Sequence, residues 1–576
     1  MSNTVNITID GKEIAASKNE SLLKACQAAG INVPSLCYHP ELRTDGSCRV
    51  CMVEVEGQRT LVPSCVFPIN EGMVVKTNTK RVLDARRTVV ELLLANHPND
   101  CLTCQKSGNC ELQKIAADLN IRKIRFDGEK KALPLDCNNP SLVRDPNKCV
   151  LCSRCVRVCQ DKQDMHVYGF VNRGFETEVA PPFSQGLDKV DCTYCGQCAI
   201  VCPTAAIVEK DDTDKVVSAI ANKAKHVVVQ TAPAVRVGLG AALGLDEGTI
   251  VTGKMVTALK KLGFDRVFDT NFSADLTIME EGHEFIHRVK NGGKLPMFTS
   301  CSPAWVNLVE MQYPDLLDHL STAKSPQQMF GAVAKTYYAQ AAGIDPKDIV
   351  SVSIMPCTAK KFEAQRPEFN SSGYQDVDVV LTTRELGRMI KEAGIDFAAL
   401  EDSEFDNPLG VATGAGVIFG TTGGVMEAAL RTVVEVLTEK PLENINFTQV
   451  RGQDLVKEAT LNVAGMDVKI AVVNTLKEAR KMLDKVRAGK ADYHFIEVMS
   501  CPDGCVGGGG QPIYQGKEVR AKRQDALYVC DENYPVRKSH ENPEIKEIYA
   551  KFLGAPNGEK AHKLLHTHYH AQHRGQ

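Results

Sequence analysis

Two cysteine runs constrain this chain more than anything else in it: Cys149-x2-Cys152-x2-Cys155-x3-Cys159 and Cys192-x2-Cys195-x2-Cys198-x3-Cys202. Three thiolates at that spacing wrap one face of a 4Fe-4S cubane, and the fourth cysteine of each run reaches across to the other cubane. The expected ligand sets are therefore Cys149, Cys152, Cys155 and Cys202 for one cluster, and Cys192, Cys195, Cys198 and Cys159 for the other. Structural zinc sites use paired CxxC knuckles instead of triplets. The second run ends in Pro203, as is usual after a fourth cysteine, whereas the first continues into Gln160. The two runs form an internal repeat, so residues 140–209 are expected to fold as a pseudo-symmetric ferredoxin carrying two cubanes.

The remaining composition fits an electron carrier built of several units. At 576 residues the chain exceeds what one core supports. Its 22 cysteines lie mostly at ligand spacing, and MSNTVNITIDGKEI has no basic, apolar leader, so a cytoplasmic protein with metal thiolates is expected. No apolar run approaches the roughly 20 residues of a membrane span. A net charge of -3 argues against nucleic acid. His562, His566, His568, His570 and His573 make a histidine-rich tail, read here as a solvated, frayed terminus.

Upstream, residues 1–78 alternate apolar and polar around Asp10-Gly11, a hairpin signal, and continue through a helical stretch into MVEVEG and MVVKT. This predicts a small β-grasp-like sheet packed on one helix. Within it, Cys37, Cys48, Cys51 and Cys65 have a close pair and distant partners, the arrangement of a 2Fe-2S site, while Cys26 lies on the apolar helix face. Residues 79–139 open with a helix, RVLDARRTVVELLLANHP, and then present His97, Cys101, Cys104 and Cys110, enough for a third accessory 4Fe-4S cluster with one imidazole ligand. Cys137 falls outside these patterns. From 210 to 576, strand-like runs (HVVVQTAP, IVSVSIMP, VDVVLTT, VKIAVVN) alternate with helical ones, predicting a large α/β domain with mostly parallel strands. Gly238, Gly240 and Gly244 miss the dinucleotide fingerprint by one residue.

Three segments of that domain place cysteines after apolar strands or in glycine-rich loops: TSCSPAW (299–305), IMPCTAKKFE (354–363) and EVMSCPDGCVGGGG (497–510). Cys357, Cys501 and Cys505 can anchor a further cluster. Gly507–Gly510 would allow close backbone approach to a bulky inorganic ligand, with Lys360 as a charged donor and Met355 and Met499 as soft walls. The three segments resemble the signature motifs of iron-only (FeFe) hydrogenases, and the order of accessory modules is similar to the clostridial multi-cluster type. The resemblance implies an H-cluster, a 4Fe-4S cubane bridged by a cysteine to a diiron unit with CO, cyanide and azadithiolate, and reversible formation of H2 from protons and electrons. It further implies Cys357 and Cys501 as cubane ligands, Cys505 as the bridge and Lys360 on a cyanide, with Ala232, Pro233, Gln327, Met355, Phe419 and Met499 around the diiron unit. A proton route along Cys301, Glu281, Ser321 and Glu284 is implied as well, with ferredoxin or flavodoxin as redox partner and dedicated maturases for the diiron unit. On the residues alone, Glu281 and Glu284 read as a solvated helix face.

One position departs from the family. Its first motif is TSCCP, relay cysteine then cubane ligand, whereas this chain has Cys301 followed by Ser302. The serine either binds iron as an alkoxide, leaves the position to water, or yields it to Cys301. That substitution carries the alternative of a hydrogen-sensing or low-turnover hydrogenase-like protein. A respiratory NADH dehydrogenase subunit shares the first three modules but lacks the Lys360 and Cys501–Cys505 motifs.

Overall fold

In the computed structural model, residues 4–463 and 465–572 are described. The Asp10-Gly11 signal makes the first hairpin: both residues have positive φ (48° and 83°), the geometry of a two-residue turn that matches strand twist. Asp10 also accepts hydrogen bonds from Thr77 N (2.7 Å) and Thr77 Oγ1 (2.5 Å). Strand Thr4–Ile9 thus pairs antiparallel with Lys12–Ser17 and parallel with Val74–Lys76. Met52–Val55 and Val62–Pro63 complete a five-stranded sheet, against which helix Leu22–Ala28 buries Leu22, Leu23, Ala25 and Cys26. The next helix, Lys80–Asn96, is capped by Thr79 Oγ1, which accepts from Val82 N, and stops two residues before Pro98.

The cysteine repeat is a structural repeat down to its backbone angles. Strand Leu142–Arg144 pairs with Ile207–Glu209, and two short helices, Arg154–Asp161 and Gln197–Val201, begin at equivalent points of the two runs. Leu151 and Ser153 in the first run, and Tyr194 and Gly196 in the second, all have positive φ (53°, 60°, 57° and 72°). These angles turn the loop amides toward sulfur: Leu151 N donates to Cys149 Sγ and Tyr194 N to Cys192 Sγ, each at 3.4 Å.

The remainder is built on two four-stranded sheets. One, ordered Arg266–Asp269, His226–Thr231, Ile349–Met355, Val379–Thr382, is parallel throughout. The other, ordered Met297–Phe298, Phe495–Met499, Met466–Asn474, Val456–Val463, is parallel except for its last pair. Helices cover both sheets, so strands such as His226–Thr231 and Phe495–Met499 are buried along almost their whole length. The chain is thus an α+β assembly of a β-grasp-like sheet, a helical His/Cys segment, a small pseudo-symmetric unit carrying the cysteine repeat and a large α/β region. No helix among the described residues is long and apolar enough to cross a membrane.

Candidate functional site

The carboxyl ends of both sheets face one cavity. Thr231 leads into Ala232 and Pro233, Met355 into Pro356 and Cys357, Met499 into Ser500 and Cys501, and Phe298 into Cys301 three residues on. The residues that follow the strands, from Ala232 to Cys501, with Ser302, Gln327, Lys360, Phe419 and Cys505, line about 790 Å³ of atom-free space. A site at strand ends is what an open α/β sheet offers. Cys357, Cys501 and Cys505 form one electrostatic group: burial raises each thiol pKa, and the neighbouring cysteines raise Cys501 and Cys505 further, Cys505 to about 12. Such thiols gain most from handing their protons to a cationic metal centre.

Cys301 and Ser302 face different neighbours. Burial raises the Cys301 thiol strongly, with Glu281 the next contributor. Ser302 Oγ instead shares a 2.8 Å hydrogen bond with Ser500 Oγ, beside Cys501.

Lys360 is held by a residue the sequence reading missed. Its ammonium donates to both carboxylate oxygens of Glu363 (3.0 and 2.8 Å) and to Cys301 O (3.1 Å). Glu363 Oε2 also accepts from Ser325 Oγ (2.9 Å) and Gln327 Nε2 (3.0 Å). The i, i+3 spacing of Lys360 and Glu363 on a helix was the available signal. Gln327 Oε1 is buried with no hydrogen-bond partner among the described residues, although it belongs to the cavity wall. An acceptor left without a donor fits a wall completed by a bound group.

Glu281 and Glu284 lie on helix Thr270–Asn291, whose inner turns are buried, so the solvated-face expectation fails. The reason is tertiary: strands, Phe419 and the Pro326–Val333 helix enclose it. Glu281 is 1% exposed, and its carboxylate faces the Ser321 side chain and the Ser300 backbone without a full-strength hydrogen bond to either. Burial, then the Glu284 charge, push its carboxyl up to about 8. Glu284 accepts from Ser321 Oγ (2.9 Å), from Thr322 N and Oγ1 (3.0 and 3.1 Å to Oε2), and from Arg288 Nη2 (2.5 Å).

The glycine run differs from expectation as well. Gly508 does reach the cavity, but a Cβ on Gly509 would lie 2.4 Å from Cys195 O, and one on Gly508 2.0 Å from Pro356 O. The run serves chiefly as a seam between the ferredoxin and the α/β region. Gln197 Nε2 donates to Gly507 O (2.9 Å) and Thr358 Oγ1 to Tyr194 O (2.7 Å) across it. Cys195 consequently lines the catalytic cavity, and it contributes to raising Cys501.

Cys149, Cys152, Cys155 and Cys202 surround one cavity of about 420 Å³, which is the crossed set expected from spacing. Cys198 is raised by burial and then by Cys195, Cys192 and Cys159, the other set. Cys37, Cys48, Cys51 and Cys65 interact sulfur to sulfur, and Cys37 N donates to Cys48 Sγ (3.4 Å). His97 caps its helix; its Nδ1 accepts from Asn99 N (3.2 Å), and its buried Nε2 has no partner among the described residues. Cys101, Cys104 and Cys110 follow in the adjoining turn and helix start. Cys26 and Cys530 are buried and Cys137 exposed, apart from these groups.

Both N-terminal cysteine groups abut the cavity lined by Cys149, Cys152, Cys155 and Cys202. Arg157 Nη2 donates to Cys37 O (2.5 Å) and Cys152 O (3.2 Å). From the other side Lys106 Nζ donates to Cys202 O (2.5 Å), and Arg154 pairs with Glu111 at 2.7 and 2.9 Å.

The histidine-rich tail is not frayed. Helix Glu559–Leu565 buries Ala561, Leu564 and Leu565, and His566 is buried behind it; His573 lies outside the described residues.

Comparison with known proteins matches residues 225–509 to the profile "Iron only hydrogenase large subunit, C-terminal domain" and 517–572 to "Iron hydrogenase small subunit". Residues 2–80 match a 2Fe-2S cluster-binding domain, 86–125 the iron-sulfur region of NADH-ubiquinone oxidoreductase G, and 130–206 a 4Fe-4S dicluster domain. The chain is 52% identical to the NADP-reducing hydrogenase subunit HndD of Solidesulfovibrio fructosivorans, over 98% of each chain. It is 42% identical to iron hydrogenase 1 of Clostridium pasteurianum, over 98% of this chain and 99% of the other. Among solved structures, a variant of the [FeFe]-hydrogenase HydA1 from Chlamydomonas reinhardtii superposes with a TM-score of 0.57 at 46% identity, covering 63% of this chain and 99% of that one.

Proposed function

The chain belongs to the iron-only hydrogenase family, and from that premise we propose how its own residues divide the work of interconverting 2 H+ and 2 electrons with H2. The observation that carries the reading is one cavity in which Cys357, Cys501 and Cys505 meet Lys360, beside Cys301 and the buried Glu281. The residues fit an H-cluster: Cys357 and Cys501 would hold the cubane, Cys505 would bridge, and Lys360, fixed by Glu363, would donate to a cyanide. Bound there, the cluster supplies the redox chemistry. The protein excludes water with Ala232, Pro233, Met355, Phe419 and Met499 and moves protons through Cys301, Glu281, Ser321 and Glu284. A carboxyl group near pKa 8 exchanges protons readily around neutral pH. The separation of Cys301 from Ser302 supports Cys301 as relay, with Ser302 beside the cubane.

Electrons would enter at one 2Fe-2S (Cys37, Cys48, Cys51, Cys65) or at the His97, Cys101, Cys104, Cys110 cluster. These routes would join at the Cys149 cubane and pass through the Cys192 cubane, whose Cys195 borders the catalytic cavity. The modules would divide at 1–78, 79–139, 140–209 and 210–576, in a cytoplasm whose reducing conditions keep cysteines available as metal thiolates. Ferredoxin or flavodoxin is the proposed partner, with maturases supplying the diiron unit. Similarity to a subunit of an NADP-reducing hydrogenase favours a second reading, in which a nicotinamide-linked partner subunit accepts the electrons released from H2. The sensor alternative is not favoured by these relatives.

The test is H2 evolution from reduced methyl viologen, and H2 oxidation with the oxidised dye, by the matured protein. Turnover in both directions is expected. H-cluster infrared bands without turnover in either direction would overturn the assignment.

A further inference from the structure

We propose that the C-terminal His566 is a second proton-loading limb, feeding Glu284 through the Thr322 hydroxyl. The inference rests on the relay reading above and extends it outward. His566 Nδ1 and Thr322 Oγ1 share a 2.7 Å hydrogen bond, and the same Oγ1 donates to Glu284 Oε2 at 3.1 Å. On its other side, His566 Nε2 lies 2.9 Å from Glu280 Oε2. Glu280 is fully buried next to Glu281 in sequence; it also accepts from Asn557 N (2.8 Å) and contacts Tyr549 OH. The chain Glu280, His566, Thr322, Glu284 is thus continuous in hydrogen bonds. It meets the relay at its outer acid, on the side away from Arg288.

A wholly structural role would need only one neutral bond to pin the tail. The structure instead gives His566 a buried carboxylate on one nitrogen and a hydroxyl bridge to a second carboxylate on the other. The titratable and charged groups facing it are Glu280, Glu284 behind Thr322, Tyr549 on Glu280, and Arg288 on Glu284. His562 stacks on its ring at 4.6 Å and 8°, with His568 beyond. His562 and His568 are exposed, so this stack lies at the protein surface.

The step balances as proton transfer alone. The His566 Nδ1 proton passes to Thr322 Oγ1 as the Thr322 hydroxyl proton passes to Glu284 Oε2. One N–H and one O–H bond break and two O–H bonds form; imidazolium becomes imidazole and carboxylate becomes acid. The cycle closes when the Thr322 hydroxyl turns back toward Glu284 and His566 takes up one proton from bulk water.

The experiment compares matured wild type, His566→Gln, Thr322→Val, Thr322→Ser and Cys301→Ala. H2 evolution is followed against pH in H2O and D2O, with infrared spectra of the H-cluster and of the pH-sensitive carboxyl bands. His566→Gln and Thr322→Val should each lower kcat about 3- to 10-fold, less than loss of an obligatory acid-base group, with the KM for dye and the cluster bands unchanged. The pH profile of kcat should change in both variants, and the solvent isotope effect should rise. The carboxyl bands should shift in both variants, and Thr322→Ser should recover most of the rate. Wild-type rates and pH profiles in both variants, or a pH-independent loss not rescued by serine, overturn the limb. If Cys301→Ala keeps full activity, the relay reading itself fails. A dead Cys301→Ala beside unaltered His566→Gln and Thr322→Val removes only the limb.

Discussion

The ferredoxin module and the catalytic cavity both gather thiols around atom-free space, yet they are encoded in opposite ways. The cradle of Cys149, Cys152, Cys155 and Cys202 draws on two short stretches, and its loop angles repeat from Leu151 and Ser153 to Tyr194 and Gly196. The catalytic cavity draws on chain segments from Cys195 to Gly508. Local spacing therefore determines what the first site holds. The second is determined by where two sheets end, and its cysteines have roles that depend on neighbours distant in sequence. Cys301 and Ser302 are adjacent in the chain, but one is coupled to Glu281 and the other bonds Ser500.

The largest expected effect breaks that comparison if it fails. Cys301→Ala should leave iron content and H-cluster infrared bands intact while cutting turnover about 100- to 10,000-fold, the range for a lost acid-base group. Ser302→Cys should add a thiolate next to Cys501 and change the cubane potential with assembly preserved. Should Cys301→Ala instead strip iron, the catalytic cysteines would behave like those of the ferredoxin, as ligands throughout.

Next in size is Glu281→Gln, expected to lower turnover by a similar order at its upper end and to alter stability in a pH-dependent way. A carboxyl raised to about 8 in the folded protein, from an ordinary value of 4.5, favours the fold only while protonated. Unfolded chain ionises first, so this contribution is fully present below about pH 4.5 and is lost as pH rises toward 8. The glutamine variant should therefore outlast wild type in thermal inactivation at pH 8 to 9 and match it near pH 4.5. Equal half-lives across that range would mean that Glu281 is solvated.

The four-part architecture and the accessory cysteine groups were legible because each depends on local spacing or on a period of two or 3.6 residues. The α/β region was legible as a class, from alternating strand and helix patterns. Other features depended on contacts between distant segments. Glu281 lies on a helix with polar residues on several sides, and only the packing of other elements makes its site dry. Glu363 gained meaning once Gln327 and Ser325 were seen to converge on it. Gly509 was assigned to a ligand when its missing side chain admits the Cys195 carbonyl. His566 reads as solvated from the sequence because Glu280 and Thr322, its partners, are more than 240 residues away.

A smaller effect sharpens the local half of the comparison at the helix end. His97→Cys should retain a cluster on Cys101, Cys104 and Cys110 but lower its potential, because a thiolate adds negative charge where a neutral imidazole stood. The buried, unpartnered Nε2 motivates the test. A redox titration identical to wild type would show that His97 serves only to end its helix.

The smallest expected effect is none, and it tests the rule that ligands are cysteines sharing spacing or a cavity. Cys26 is buried on the helix beneath the first sheet, where burial and then Asp10 push its thiol up to about 11. Cys530 is buried beside the Asp269–Arg236 pair, and Cys137 is exposed in a turn where its own carbonyl accepts from Lys210. Their thiols join no group of cysteines, so nothing near them supplies the three further donors a cluster needs. Replacing all three with alanine should leave iron and sulfide per chain unchanged. Stability should fall by only about 1 kcal/mol for each of the two small buried side chains shortened. Loss of one whole cluster in that variant would mean that a cysteine outside both kinds of encoding holds metal, and the contrast between the two regions would no longer account for the chain's iron.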